Sequence, residues 1–220
     1  MKEIFVVIGG VDDDIQKVIK QYHKKVDIED CVFVGVDGGC RKLIAAGYPI
    51  DFAIGDFDSV DEAELTMIKK YAKEIRTLPC EKDETDFETS LIWCAEQFSK
   101  HKLYVLGAFG GRIDHELSIM WVVHQPKFKK IVPYLQFESL MNHVSFLLPG
   151  CHQIDKSPNM NYLSFITMTK VTNLSLTEVK YPLENISYNA PVALISNEFL
   201  TETMTISFED GLIMTCQTND

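Results

Sequence analysis

No apolar run in the sequence approaches the roughly 20 residues that a membrane-spanning helix needs. The opening residues, MKEIFVVIGG, hold only a short one, which ends in Gly-Gly rather than a cleavable small-residue motif. Neither a membrane partner nor a targeting segment is expected. Basic charge is scarce, with 21 Lys and Arg against 32 Asp and Glu and a net charge of −11. That balance repels phosphate backbones and anionic lipid, so no nucleic-acid partner is expected either. A nucleotide can still be held where a divalent cation or a local basic cluster intervenes, because net charge does not describe a cleft. Six cysteines (31, 40, 80, 94, 151 and 216) form no C-x-x-C pair, and six histidines form no H-E-x-x-H. Structural zinc and thioredoxin-type chemistry are thereby excluded, and reduced thiols in a cytoplasmic protein are the expectation. Also missing are G-x-x-x-x-G-K-[ST], G-x-G-x-x-G, internal repeats and low-complexity linkers.

What is present is enough apolar sequence, 46% of 220 residues, to bury one large core or two modest ones. The first half alternates short β-branched runs with helical periodicity. Strands are expected at 4–8, 31–36, 52–54, 74–78 and 103–106, and helices at 15–22, 41–46, 61–72, 86–98 and about 114–124. Such alternation implies a mainly parallel sheet covered by helices. After Gln125-Pro126-Lys127 the pattern becomes short strand-like segments at 132–137, 144–148, 163–168, 173–179, 192–195 and 203–208, punctuated by Pro, Asn and Gly. The expectation is an α/β domain over 1–127 followed by an all-β sandwich or barrel-like domain over 128–220.

Ligands of open parallel sheets gather at the carboxyl ends of the strands. Four successive strand ends here carry aspartate: Asp37-Gly38-Gly39, Gly55-Asp56-Phe57-Asp58-Ser59, Lys82-Asp83-Glu84-Thr85-Asp86, and Gly110-Gly111-Arg112-Ile113-Asp114-His115. Turn and cap chemistry explains part of this, since Ser59 to Glu62 and Thr85 to Glu88 both fit a capping box. Asp56, Asp58 and Asp83 are left over. Two residues apart in extended chain, Asp56 and Asp58 would point the same way, which favours a cation between them. For that pair alone, metal binding and turn formation stand level; the array over four strand ends favours a metal of the Mg²⁺ type. Gly110-Gly111 before Arg112 permits close approach of a phosphate, or makes an ordinary turn. Trp121, with Leu117 on the apolar side of its helix, reads as core packing, and His115 as a cap or packing residue.

In order and spacing, the blocks GVDGGCRKLIAAGYPIDFAIGDFDSV, DETDFETSL and LGAFGGRIDHEL resemble the thiamin pyrophosphokinase family. The later Ser196-Asn197-Glu198-Phe199 resembles an S-N element of its C-terminal β-domain, with Phe199 at a position that often holds Trp. The resemblance implies transfer of a pyrophosphoryl group from ATP to the hydroxyethyl oxygen of thiamin. Asp56, Asp58 and Asp86 would then ligate magnesium. Asp37, Gly38, Gly39, Asp83, Thr85, Gly110, Gly111 and Arg112 would frame the ATP site, with Lys82 as a further phosphate contact. Asp114 would sit near the reacting hydroxyl, while Ser196, Asn197 and Phe199 would hold thiamin. It also implies a homodimer whose active sites are shared between the α/β domain of one subunit and the β-domain of the other. The rivals are a pyrophosphokinase for another heterocyclic alcohol such as a pterin, a metal-dependent phosphohydrolase, and a non-catalytic binding protein.

Overall fold

The computed structural model describes residues 2–11, 14–24, 27–58, 60–79, 81, 83–98 and 100–220, and divides into two compact units, Met1–Leu140 and Met141–Asp220. In the first, strands β1 (Glu3–Val7), β2 (Cys31–Val36), β3 (Ile50–Gly55), β4 (Ala72–Thr77), β5 (Leu103–Leu106) and β6 (Leu135–Glu138) pair in parallel in the order β6-β5-β1-β2-β3-β4. Helices α1 (Ile15–Tyr22), α2 (Gly39–Ala46), α3 (Glu62–Tyr71), α4 (Asp86–Gln97) and α5 (Ile113–Trp121) fall between them.

Strand alternation sends successive side chains to opposite faces. Phe5, Val7, Phe33 and Ala53 meet Val18, Ile19, Leu43 and Ile68 of α1, α2 and α3 in one core. On the other face, Phe52 stacks on Trp93 of α4, with ring centroids 4.0 Å apart. With both faces covered, β1, β2 and β5 read as near-continuous apolar runs, as buried parallel strands must. Each such Phe, Leu or Ile side chain stabilises the fold by about 1.5–3 kcal/mol through burial.

Several expectations need correction. The α/β unit runs to Leu140, not residue 127, because β6 adds in parallel to β5 rather than opening the all-β unit. Asp61, not Ser59, caps α3, and it forms a capping box with Glu64; Ser59 itself lies outside the described residues. On α5 no residue is buried, so Trp121 is not core: Ile113, Leu117 and Trp121, spaced i, i+4, i+8, form a stripe 67%, 49% and 55% exposed.

The second unit is a β-sandwich. Strands β7 (Asn142–Leu147), β8 (Gly150–Asp155), β9 (Tyr162–Thr167), β10 (Val171–Thr177), β11 (Leu183–Tyr188), β12 (Ala193–Asn197), β13 (Thr203–Phe208) and β14 (Ile213–Thr218) form antiparallel layers β12-β9-β14-β7 and β11-β10-β13-β8. Leu163, Phe165, Leu174, Leu176, Met204 and Ile206 fill the space between them.

One polar cluster ties the α/β unit together. His23 ends α1 with its side chain 5% exposed; Nδ1 lies 2.8 Å from Glu3 Oε2, and Nε2 bonds to Glu138 Oε2 at 2.8 Å. Beside it, the Tyr22 hydroxyl donates to the Ser139 carbonyl at 2.9 Å and the Gln21 amide to that of Leu140 at 3.3 Å. Burial pushes the His23 pKa down, but the bonds and charges of Glu138 and Glu3 outweigh burial and hold it above the usual histidine value. A raised pKa stabilises the fold fully below the unfolded-state value near 6.5 and ceases to do so as pH rises through the folded-state value. His23→Leu, which takes the imidazolium from the buried Glu138 and the partly exposed Glu3, should therefore cost about 3–5 kcal/mol near pH 6 and distinctly less near pH 9, measured by urea unfolding. An equal cost at both pH values would show that the imidazolium charge contributes nothing.

Candidate active site

In the α/β sheet the strand order reverses between β1 and β5: the chain moves outward from β1 through β4, then returns to β5 on the other side of β1. Such a reversal splays the two following loops and opens a crevice at the carboxyl ends of the strands. A cleft of about 750 Å³ lies there. Nine of the expected residues line it: Asp37, Gly38, Asp56, Asp83, Thr85, Asp86, Gly110, Gly111 and Arg112. Gly39 is buried as the first residue of α2. The loop Gly9-Gly10-Val11 and Arg41 also line the cleft, and neither was expected. Their signal was a Gly-Gly pair one residue beyond β1, and a cation four residues after Asp37.

At the centre, Asp37, Asp56 and Asp86 each offer a carboxylate oxygen within 4.8 Å of the others, and each is half-buried. Local structure sets each one. Thr85 caps α4 through a capping box, its hydroxyl accepting the Glu88 N–H at 3.1 Å while Glu88 Oε2 accepts the Thr85 N–H at 2.9 Å. Asp86 thereby opens the first turn, where the helix dipole favours an anion. Gly55 makes room for Asp37, since a Cβ there would sit 1.8 Å from Asp37 Oδ1. Burial, then the hydrogen bond and charge of Asp86, push the Asp37 carboxyl up to about 7, against the opposing Phe57 N–H bond at 3.3 Å.

Asp58 stays outside this group. Phe57 takes a left-handed φ of 55° and buries its ring, so the chain is not extended here, and the alternation that would aim Asp56 and Asp58 the same way is broken. Asp58 is exposed, and its N–H donates to Asp56 Oδ1 at 3.2 Å. Among the described residues, the carboxylates gathered closely enough to share a cation are Asp37, Asp56 and Asp86.

Beyond β5, Gly110 and Gly111 adopt φ of 81° and 96°, conformations that a side chain would strain, and the turn presents Arg112 to the cleft. Arg112 forms a two-pronged pair with Asp114, Nε to Oδ1 at 3.2 Å and Nη2 to Oδ2 at 2.7 Å. This fork holds the exposed Asp114 carboxyl below the usual carboxylate range. Asp114 itself does not line the cleft; it is positioned through Arg112. Lys82 lies outside the described residues.

Ser196, Asn197 and Phe199 belong to the β-unit. Asn197 is buried, and its amide is largely engaged: Oδ1 accepts the N–H groups of Tyr181 and Glu198, both at 2.9 Å, and Nδ2 donates to the Tyr181 carbonyl at 3.0 Å. It is a brace rather than an open ligand contact. Ser196, exposed at a φ of 60°, is held in a conformation uncommon for serine. Phe199 is half-buried against the sandwich core.

A carboxylate triad with arginines at its rim can hold a hard divalent cation and the phosphates of a nucleotide. Comparison with known proteins agrees. Residues 23–135 match the family model "Thiamin pyrophosphokinase, catalytic domain", and residues 151–213 match "Thiamin pyrophosphokinase, vitamin B1 binding domain". The thiamine pyrophosphokinase of Bacillus subtilis (strain 168) is 33% identical over 223 residues, with 100% of both chains covered. A solved thiamin pyrophosphokinase family protein from Enterococcus faecalis superimposes with a TM-score of 0.90 at 30% identity, and the Bacillus subtilis enzyme with 0.81 at 31%, each covering 100% of both chains. The Candida albicans enzyme, at 17% identity, shares the fold with a TM-score of 0.77 over 99% of this chain and 90% of its own. Full-length identity, both domain models and the carboxylate cleft converge: this chain belongs to the thiamin pyrophosphokinase family.

Proposed function

We infer that this protein is a thiamin pyrophosphokinase, transferring a pyrophosphoryl group from ATP to the hydroxyethyl oxygen of thiamin to give thiamin diphosphate and AMP. The observation that carries the reading is the Asp37–Asp56–Asp86 triad in the switch-point cleft of a chain that matches both family domains. A pterin pyrophosphokinase or a phosphohydrolase would share the carboxylates, but the match of the second unit to a vitamin B1 binding domain favours thiamin.

Phosphoryl-group transfer needs positioning and charge neutralisation more than covalent help. Asp37, Asp56 and Asp86 would hold Mg²⁺, which offsets the negative charge of the phosphates when bound. The crowding that raises Asp37 supports this, since the same carboxylates lose their mutual repulsion around a cation. Arg112 meets the phosphates with its planar fork. The thiamin oxygen attacks the β-phosphorus, the bond from that phosphorus to the α–β bridging oxygen breaks, AMP departs with the oxygen, and the hydroxyl proton passes to solvent. Held below the usual carboxylate range, Asp114 is a weak base; from beside the cleft it aims Arg112 toward the reacting hydroxyl and adds negative charge that suits the thiazolium. In the β-unit, Ser196 and Phe199 contact the aminopyrimidine while Asn197 keeps both in place.

The working form is a cytoplasmic homodimer. Supporting that reading, the exposed Ile113–Leu117–Trp121 stripe of α5 is an apolar surface suited to a second copy of the chain. The described cysteines 31, 40, 94, 151 and 216 are free thiols, as a reducing compartment keeps them.

Four outcomes test this reading. Incubation with ATP, Mg²⁺ and thiamin should yield AMP and thiamin diphosphate in equal amounts, with no AMP when thiamin is omitted; ADP as the product would overturn it. Asp86→Asn should lower kcat by about 10²–10³-fold and abolish the Mg²⁺-induced rise in melting temperature, without lowering that temperature in EDTA. Asp58→Asn should keep the Mg²⁺-induced rise, and its loss there would restore Asp58 to the metal set. Finally, Trp121→Glu should convert a species of twice the chain mass into monomer in sedimentation velocity; an unchanged mass would remove α5 from the subunit contact.

A further inference from the structure

Beside the acidic cleft lies a second, smaller hollow of about 270 Å³ with the opposite chemistry. It shares Gly9, Gly38 and Arg41 with the main cleft and is closed by Lys42 and Ala45. Two cations and no carboxylate stand among its described lining residues. Both cations are fixed. Arg41 Nη1 donates to Glu64 Oε1 at 3.2 Å and Oε2 at 3.4 Å, while Glu64 Oε2 accepts the Asp61 N–H in the α3 capping box at 3.2 Å. The guanidinium lies over Gly38, where a Cβ would come within 3.2 Å of Nη2. Lys42 Nζ donates to the carbonyls of Gly10 at 2.6 Å and Val11 at 2.9 Å, so it straps the loop after β1 beside the hollow.

We propose that this hollow is the subsite for the phosphate of the AMP leaving group, with Arg41 as its direct contact and Glu64 and Lys42 as positioning residues. The proposal rests on the pyrophosphoryl-transfer reading. In such a transfer the attacking and leaving oxygens lie on opposite sides of the reacting phosphorus. The Arg112–Asp114 pair, where the thiamin hydroxyl is placed, follows β5; Arg41 follows β2, across β1 from it. The leaving oxygen gains negative charge as the bond breaks, and a cation already fixed on that side stabilises it without reorganisation.

The test compares inhibition of the enzyme by AMP and by adenosine, which differ only in the phosphate. Arg41→Gln should weaken AMP inhibition about tenfold and lower kcat, while leaving adenosine inhibition and the melting temperature unchanged, since an exposed Arg41–Glu64 pair contributes little stability. Arg41→Lys should recover part of the loss, and Glu64→Gln should cause a smaller one of the same kind. Equal weakening of AMP and adenosine, or no change in either, would overturn the subsite. Wild-type enzyme that releases no AMP with thiamin would instead sink the underlying reading, so the two failures are distinguishable.

Discussion

Asp37 and Asp86 are held within hydrogen-bonding reach of each other, with Asp56 completing the group, and such an arrangement is unfavourable unless a proton or a cation lies among the oxygens. Much of the α/β unit serves to enforce this proximity. Asp37 follows β2, Asp56 follows β3, and Asp86 opens α4, so three separate elements converge. Only a sheet buried on both faces is stiff enough to keep them from relaxing apart, and here the cores under α1–α3 and under α4 supply that stiffness. The crowding placed at the strand tips is relieved when a proton or a cation lies among the oxygens.

Around that acidic centre the charge is zoned. Arg112 follows β5 and Arg41 follows β2, on either side of β1, and both line the cleft, each anchored by its own carboxylate partner, Asp114 and Glu64. The paired acids aim the guanidinium groups and restrict two otherwise flexible side chains. A chain of net charge −11 can thus present a polyanion with cations at the positions where phosphates would lie.

Much of this was legible in the sequence, and the parts that were not have identifiable causes. β2 and β5 were read to the residue because β-branched runs bounded by polar residues leave little choice. β14 was missed because its buried face carries Thr215 and Gln217, which satisfy one another's surroundings by hydrogen bonds: Thr215 with Ser145 at 2.7 Å, Gln217 with Ser157 and Asp155. β8 and β11 are largely exposed and polar, so no apolar alternation marks them. Within the site, the aspartates were visible as types at strand ends, but their grouping was not. Whether Asp37 or Asp58 completes the triad turns on one left-handed residue, Phe57, for which spacing in sequence gives no signal.

The parallel pairing of β6 with β5 bears on how this chain could be divided. A cut after residue 127 would remove an outer strand and leave β5, a four-residue apolar strand, as an open edge that could pair with another chain. It would also strip His23 of Glu138 and deprive Tyr22 and Gln21 of the carbonyls that receive them. The natural seam of this protein is set by hydrogen bonding and not by composition: the helical half owns one strand that, by sequence character, looks like the property of its neighbour.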